Sequence, residues 1–172
     1  NWSAVSSAVA AWPPAVEPDG LGEFTPIPLG TGLLQGGAAW GDYDGDGDLD
    51  ALMSGTDGVN NQLRDFPTNG DETCEGIPME VAVRNTGLTH GDVAWGDVDN
   101  DGDVDVLVSG TDGGNNQLRV YKNNGNGTFN ASPVEVAGLD NGLKLGGVAW
   151  GDFDNDGDLD VLASGTDGVN NQ

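Results

Sequence analysis

Short apolar runs stopped by glycine, acidic or Asn-Gly turns set the pattern of this chain. Val93-Ala-Trp95 and Val104-Asp-Val106-Leu-Val108-Ser109 are rich in β-branched residues and end at glycine, which predicts two strands over 91–96 and 104–109. Leu118-Arg-Val120-Tyr-Lys122 alternates apolar with polar, predicting a half-exposed strand over 117–122. A fourth strand is expected over 128–136, after the turn Asn-Asn-Gly-Asn-Gly. The reading is an all-β chain built from four-stranded, up-and-down antiparallel sheets.

The pattern recurs. Trp40, Trp95 and Trp150 are spaced 55 residues apart, and so are Ser54, Ser109 and Ser164. A step of this size, a little longer than the ~40 to 50 residues of a propeller blade, marks a repeated supersecondary unit. Residues 1–12 are small and apolar and read as an extended arm or a donated strand. Residues 13–35 read as the last two strands of a unit, 36–90 as repeat 1, 91–145 as repeat 2 and 146–172 as the first half of repeat 3.

Between the first two strands of every unit lies an acidic loop: Asp42, Asp44, Asp46, Asp48 and Asp50, then Asp97, Asp99, Asp101, Asp103 and Asp105, then Asp152, Asp154, Asp156, Asp158 and Asp160. Five carboxylates in nine residues repel one another unless a multivalent cation sits among them. Hard oxygen donors at alternate positions, with glycine at the sixth, suit calcium by analogy with the first half of an EF-hand loop. Positions 1, 3 and 5 aim carboxylates inward, position 7 offers its backbone carbonyl, and the aspartate at position 9 closes the cage where an EF-hand uses a glutamate at position 12. A solvated acidic turn would not need glycine and aspartate in fixed places three times over. Magnesium or manganese fits less well, because about seven oxygens from a flexible loop match the larger ion.

These repeats resemble the FG-GAP and VCBS family, and Gly151-Asp-Phe-Asp-Asn-Asp-Gly-Asp-Leu-Asp160 carries the likeness. Family units form blades of β-propellers, as in integrin alpha heads and some fungal lectins. The resemblance implies a calcium site in the hairpin between the first two strands, a scaffolding or binding role and an extracellular setting. It implies no particular ligand.

Composition narrows the function. Lys plus Arg number 5 against 29 Asp plus Glu, for a net charge of -24. Nucleic acid and anionic membranes are poor partners for such a surface, and no run approaches the ~20 apolar residues of a membrane span. Cys74 has no internal disulfide partner and aligns with Phe129, which reads as a buried apolar position. His90, the single histidine, aligns with Gln35 and Leu145 and reads as an incidental surface residue. No nucleophile and base pair stands out, and the clustered carboxylates are assigned to metal, so no enzyme is expected. Asp57, Asp112 and Asp167, in Thr-Asp-Gly, read as turn-forming side chains.

Asn1, Asn126 and Asn130 begin glycosylation acceptor triplets. With weak multi-aspartate sites suited to millimolar calcium, they point to a secreted or cell-surface protein. The chain starts at Asn1 with no methionine and no basic leader, so it reads as processed or as a fragment. Propellers close with 4 to 8 blades, so three repeats cannot make a ring alone. The segment 18–24 aligns with 123–129, so 15–17 and 24–29 are expected to supply the two strands that repeat 3 lacks. Two readings follow: a calcium-rigidified structural protein assembled head to tail by strand addition into a ring or filament, or part of a longer polypeptide with further repeats. A third is a carbohydrate-binding or adhesion module, with a glycan or protein ligand and with Trp2, Trp12 and Tyr121 as sugar platforms. Trp40, Trp95 and Trp150 read as core.

Overall fold

The computed structural model describes residues 9–11, 25–27, 32–70, 74, 78–82, 86–136 and 142–168. Every element among them is a β-strand. Strands β3 (Ala38–Gly41), β4 (Asp50–Thr56), β5 (Asn61–Phe66) and β6 (Met79–Glu80) form one antiparallel sheet in sequence order. Strands β7 (Val93–Gly96), β8 (Asp105–Thr111), β9 (Asn116–Tyr121) and β10 (Val134–Glu135) form a second, one repeat later. A hairpin of β11 (Val148–Gly151) and β12 (Asp160–Ala163) begins a third.

The register repeats with the sequence. Trp40 faces Ala51, Trp95 faces Val106 and Trp150 faces Val161 across each first hairpin. The recurrent serines latch these hairpins: Ser54 Oγ accepts the Gly37 N–H at 3.0 Å, Ser109 Oγ that of Asp92 at 3.1 Å, and Ser164 Oγ that of Gly147 at 3.1 Å.

The sheets stack face to face, with β3 against β7 and β7 against β11. Leu52 and Leu63 of the first sheet meet Val106, Val108 and Tyr121 of the second in one buried cluster. Leu107, Leu118 and Val120 meet Val148, Trp150 and Val161 in the next. Full burial of each aliphatic side chain stabilises the stack by about 1.5–3 kcal/mol.

Stacking on both faces overturns two expectations. Strand β9 is not half exposed: Leu118, Val120 and Tyr121 are all buried, because the second sheet is covered on each side. Tyr121 is 1% exposed and is therefore no sugar platform; Trp2 and Trp12 lie outside the described residues. The last strand of each sheet is also shorter than the expected 128–136. It begins after Pro78 or Pro133, which have no N–H to give the ladder.

The N-terminal pair differs in its first member. Strand β2 (Thr25–Ile27) falls inside 24–29 as expected, and its partner is β1 (Val9–Ala11), within the segment read as an extended arm or a donated strand. Residues 15–17, expected to be that partner, lie outside the described residues. Trp95 and Trp150 pack between sheets, whereas Trp40 is 50% exposed. By analogy with Trp95 against β3, its neighbour would be the first strand of a preceding four-stranded sheet, and the strands described before β3 are β1 and β2 alone.

Candidate metal centres

Each acidic loop joins the two strands of a first hairpin, and its fold is written in its own side chains. The carboxylate at position 1 gathers the turn: Asp42 accepts the N–H groups of Gly45, Asp46 and Gly47 at 2.8, 3.1 and 3.0 Å. Asp97 and Asp152 repeat this with Asp101 and Gly102, and with Asp156 and Gly157. At position 5, Asp46, Asp101 and Asp156 accept the N–H of position 7 at 2.9, 3.0 and 2.9 Å. Gly47, Gly102 and Gly157 at position 6 take φ of 95°, 97° and 96°, a conformation a side chain would resist. Position 4 is also left-handed, at Gly45, Asn100 and Asn155, and asparagine is among the few residues that tolerate it.

The aspartate at position 9 anchors the loop to the sheet. Asp50 accepts N–H bonds from Tyr43 at 3.2 Å and from Thr68 at 2.8 Å, while Asp105 accepts from Val98 at 3.0 Å and Asn123 at 2.8 Å. Burial raises both carboxyls above the usual carboxylate value, against the pull of those amides. Asp160 accepts the Phe153 N–H at 2.8 Å and is exposed.

In each loop three carboxylates converge with ligand atoms within 4.8 Å of one another: Asp42, Asp44 and Asp50; Asp97, Asp99 and Asp101; Asp152, Asp154 and Asp160. Outside these groups, Asp48 and Asp103 lie against Gly70 and Gly125 of the turn between the third and fourth strands, and Asp158 accepts from the Asn100 side chain at 3.3 Å. An all-oxygen donor set around a flexible turn fits a hard dication of calcium's size. Carboxylates this close repel one another, and a dication among them turns that repulsion into attraction.

The second loop departs from its siblings. Lys122 Nζ sits 2.6 Å from Asp99 Oδ2 and holds that carboxyl below its usual value. The position one repeat earlier carries Pro67, so the first loop has no such cation there. Repetition does not signal such a residue. Nor does it signal Asp65, which stands where the next repeat has Val120. Asp65 is 0% exposed with neither carboxylate oxygen hydrogen-bonded, and burial, then Asp50 and Asp44, push it up to about 8.

The remaining sequence candidates sort by geometry. Asp57 accepts the N–H groups of Val59 and Asn60 at 2.8 and 2.7 Å, and Asp112 those of Gly114 and Asn115 at 2.8 and 2.7 Å, as turn-forming residues should. These bonds lower both carboxyls. His90 is half-buried and left-handed, with φ of 59°, and its N–H donates to the Gln35 carbonyl. Asn126 and Asn130 are exposed, with Asn126 Oδ1 accepting from Thr128 at 3.2 Å, while Asn1 lies outside the described residues.

Residues 97–163 match the FG-GAP-like repeat family. That span runs from the first aspartate of the second loop to the end of β12, so it takes in two of the three acidic loops. No curated protein and no solved structure matches the chain. No helix among the described residues is long and apolar enough to cross a membrane.

Proposed function

We propose that the chain is a calcium-stabilised, extracellular structural repeat protein whose copies associate head to tail. The observation that carries the calcium reading is the convergence of three carboxylates in each of three loops placed at the same point of the repeat. The residues that would hold the ion are Asp42, Asp44 and Asp50, with Asp97, Asp99 and Asp101, and with Asp152, Asp154 and Asp160. Bound calcium supplies charge that the loops lack. The protein's own part is to place the carboxylates: amides within the loop fix Asp42, and the Thr68 amide, from the turn between the third and fourth strands, fixes Asp50.

Folding and calcium binding are then coupled, since the converged loops form at low cost only with the ion present. The family match supports a repeat module of structural or adhesive character rather than a catalyst. Head-to-tail association is supported by β12, which among the described residues pairs only with β11, whereas β4 and β8 pair on both edges. An open strand edge recruits another strand, and among the described residues β1 and β2 form a sheet of two strands. Thermal melting with calcium and with a chelator tests the stabilisation. A large fall in Tm on chelation is expected, and an unchanged Tm refutes it.

A further inference from the structure

The contact between neighbouring sheets has a fixed form. At the first junction the Trp95 ring lies where a Cβ on Gly41 would go, and Tyr43 stacks on Trp95 and on Phe129 at centroid distances of 6.5 and 6.2 Å. The His90 N–H donates to the Gln35 carbonyl. At the second junction the same step of 55 residues puts Trp150 over Gly96, and the Leu145 N–H donates to the His90 carbonyl. Each sheet therefore offers two faces: a tryptophan with a donor N–H at the front, and a glycine notch with an acceptor carbonyl at the back.

Both halves of that contact stand open at the ends of the stack. At the back, Gly151 has nothing within 4 Å of its would-be Cβ, and Phe153, which aligns with Tyr43, is 89% exposed. Leu162 is 71% exposed, although its counterparts Leu52 and Leu107 are fully buried. These residues line one apolar depression with Trp150 and Val161. At the front, Trp40 is 50% exposed. The Gln35 N–H and the Leu145 carbonyl have no partner among the described residues.

We infer that the apolar back face at Gly151, Phe153 and Leu162 binds the front face of a second copy of this chain, with Trp40 of one copy seated in the Gly151 notch of the other. The occupant is set by self-complementarity: the chain carries at its front the group that fills this notch twice within its own fold. The inference deepens the head-to-tail reading and rests on it, but it places the contact on the sheet faces, not only on the strand edge. The contact is heterologous, so it propagates into a ring or a filament.

Two variants and their mixture test it. Trp40→Ala removes the front group and Gly151→Leu fills the notch; both sites are open, so circular dichroism and melting should match the parent chain at dilutions where the parent is monomeric. Sedimentation of the full chain in calcium buffer should show assemblies larger than one chain, and each variant alone should be monomeric. Mixed, the intact notch of the first and the intact tryptophan of the second should give a species of twice the 17.6 kDa chain mass and nothing larger. If the parent chain assembles and neither variant changes that, the face contact is overturned while strand addition survives. A parent chain that stays monomeric overturns both, and leaves the back face to a further repeat of a longer polypeptide. Neither result bears on calcium, which melting reports separately.

Discussion

The ring of Trp95 fills the space in which a Cβ on Gly41 would sit, and Trp150 does the same at Gly96. The glycine is a notch cut to the shape of an indole, and two sheets approach closely because it is there. Hydrophobic pattern and backbone geometry thus meet at one residue pair per junction.

Substituting the notch should distinguish a filled junction from an open one. Gly41→Ala and Gly96→Ala each force the tryptophan or the strand to move, an overpacking cost of about 1–3 kcal/mol. Gly151→Ala meets open space and should fall within about 0.5 kcal/mol of the parent chain, as surface changes do. Denaturant melts of the three variants under conditions where the chain is monomeric check the contrast. Equal losses at all three would show that the notch is not what sets stability.

Asp65 should make stability depend on pH in the sense opposite to most carboxylates. Its folded value of about 8 lies above its unfolded value of 3.8, so the folded state holds the proton over that interval and the unfolded state releases it. Stability therefore falls as pH rises from about 4 to 8, by up to about 1.4 kcal/mol per pH unit. Asp65→Val installs the residue that the next repeat carries at Val120, with no oxygen left unpaired. The variant should be more stable than the parent at pH 8, less so at pH 5, and flatter between them. Denaturation in saturating calcium at those two pH values measures this, and parallel curves would rule it out. Calcium held at the first loop would relieve only the lesser contributions of Asp50 and Asp44; burial, the largest cause, would stay.

Lys122 would compete with a dication at the second loop for Asp99, 2.6 Å from its Nζ. Lys122→Met removes the charge and keeps the aliphatic stem, so the second loop should bind calcium several-fold more tightly while the other two loops hold their affinity. Competition with a calcium indicator, on the parent and the variant, resolves the change. Weaker binding in the variant would mean that Lys122 supports the loop instead of opposing its ion.

Thr68 and Asn123 donate backbone N–H groups to Asp50 and Asp105 at 2.8 Å, tying the first two acidic loops to the turn between the third and fourth strands. Asp105→Asn weakens the acceptor at a buried site, so a loss of about 1–3 kcal/mol is expected even in saturating calcium. Asp160→Asn, at an exposed site, should lose little in the metal-free protein but lose stability in calcium, because it is one of the three converged carboxylates of its loop. Melting of both variants with calcium and with a chelator checks the difference, and equal effects in the chelator would assign position 9 to metal binding alone.

The acidic loops and the strands around them are legible in the sequence because each signal is local. Position 9 of every loop is also the first residue of the second strand: β4, β8 and β12 start at Asp50, Asp105 and Asp160. Other features depend on stacking, which no single repeat announces. Tyr121 reads as exposed by alternation, but the neighbouring sheet covers it, and the same burial strands Asp65 without a partner. The pairing of β1 with β2 is illegible for a different reason. Val9–Ala11 lies in a run of small apolar residues with no turn signal to bound it. The shortness of β6 and β10 was written in Pro78 and Pro133, and the apolar residues around them hid it.

Calcium binding by the stripped chain is the most direct test of the whole scheme. Titration calorimetry on the metal-free protein should register three bound ions per chain, one for each converged carboxylate group, with a matching rise in Tm. A titration that releases no heat and leaves Tm where it began would contradict it.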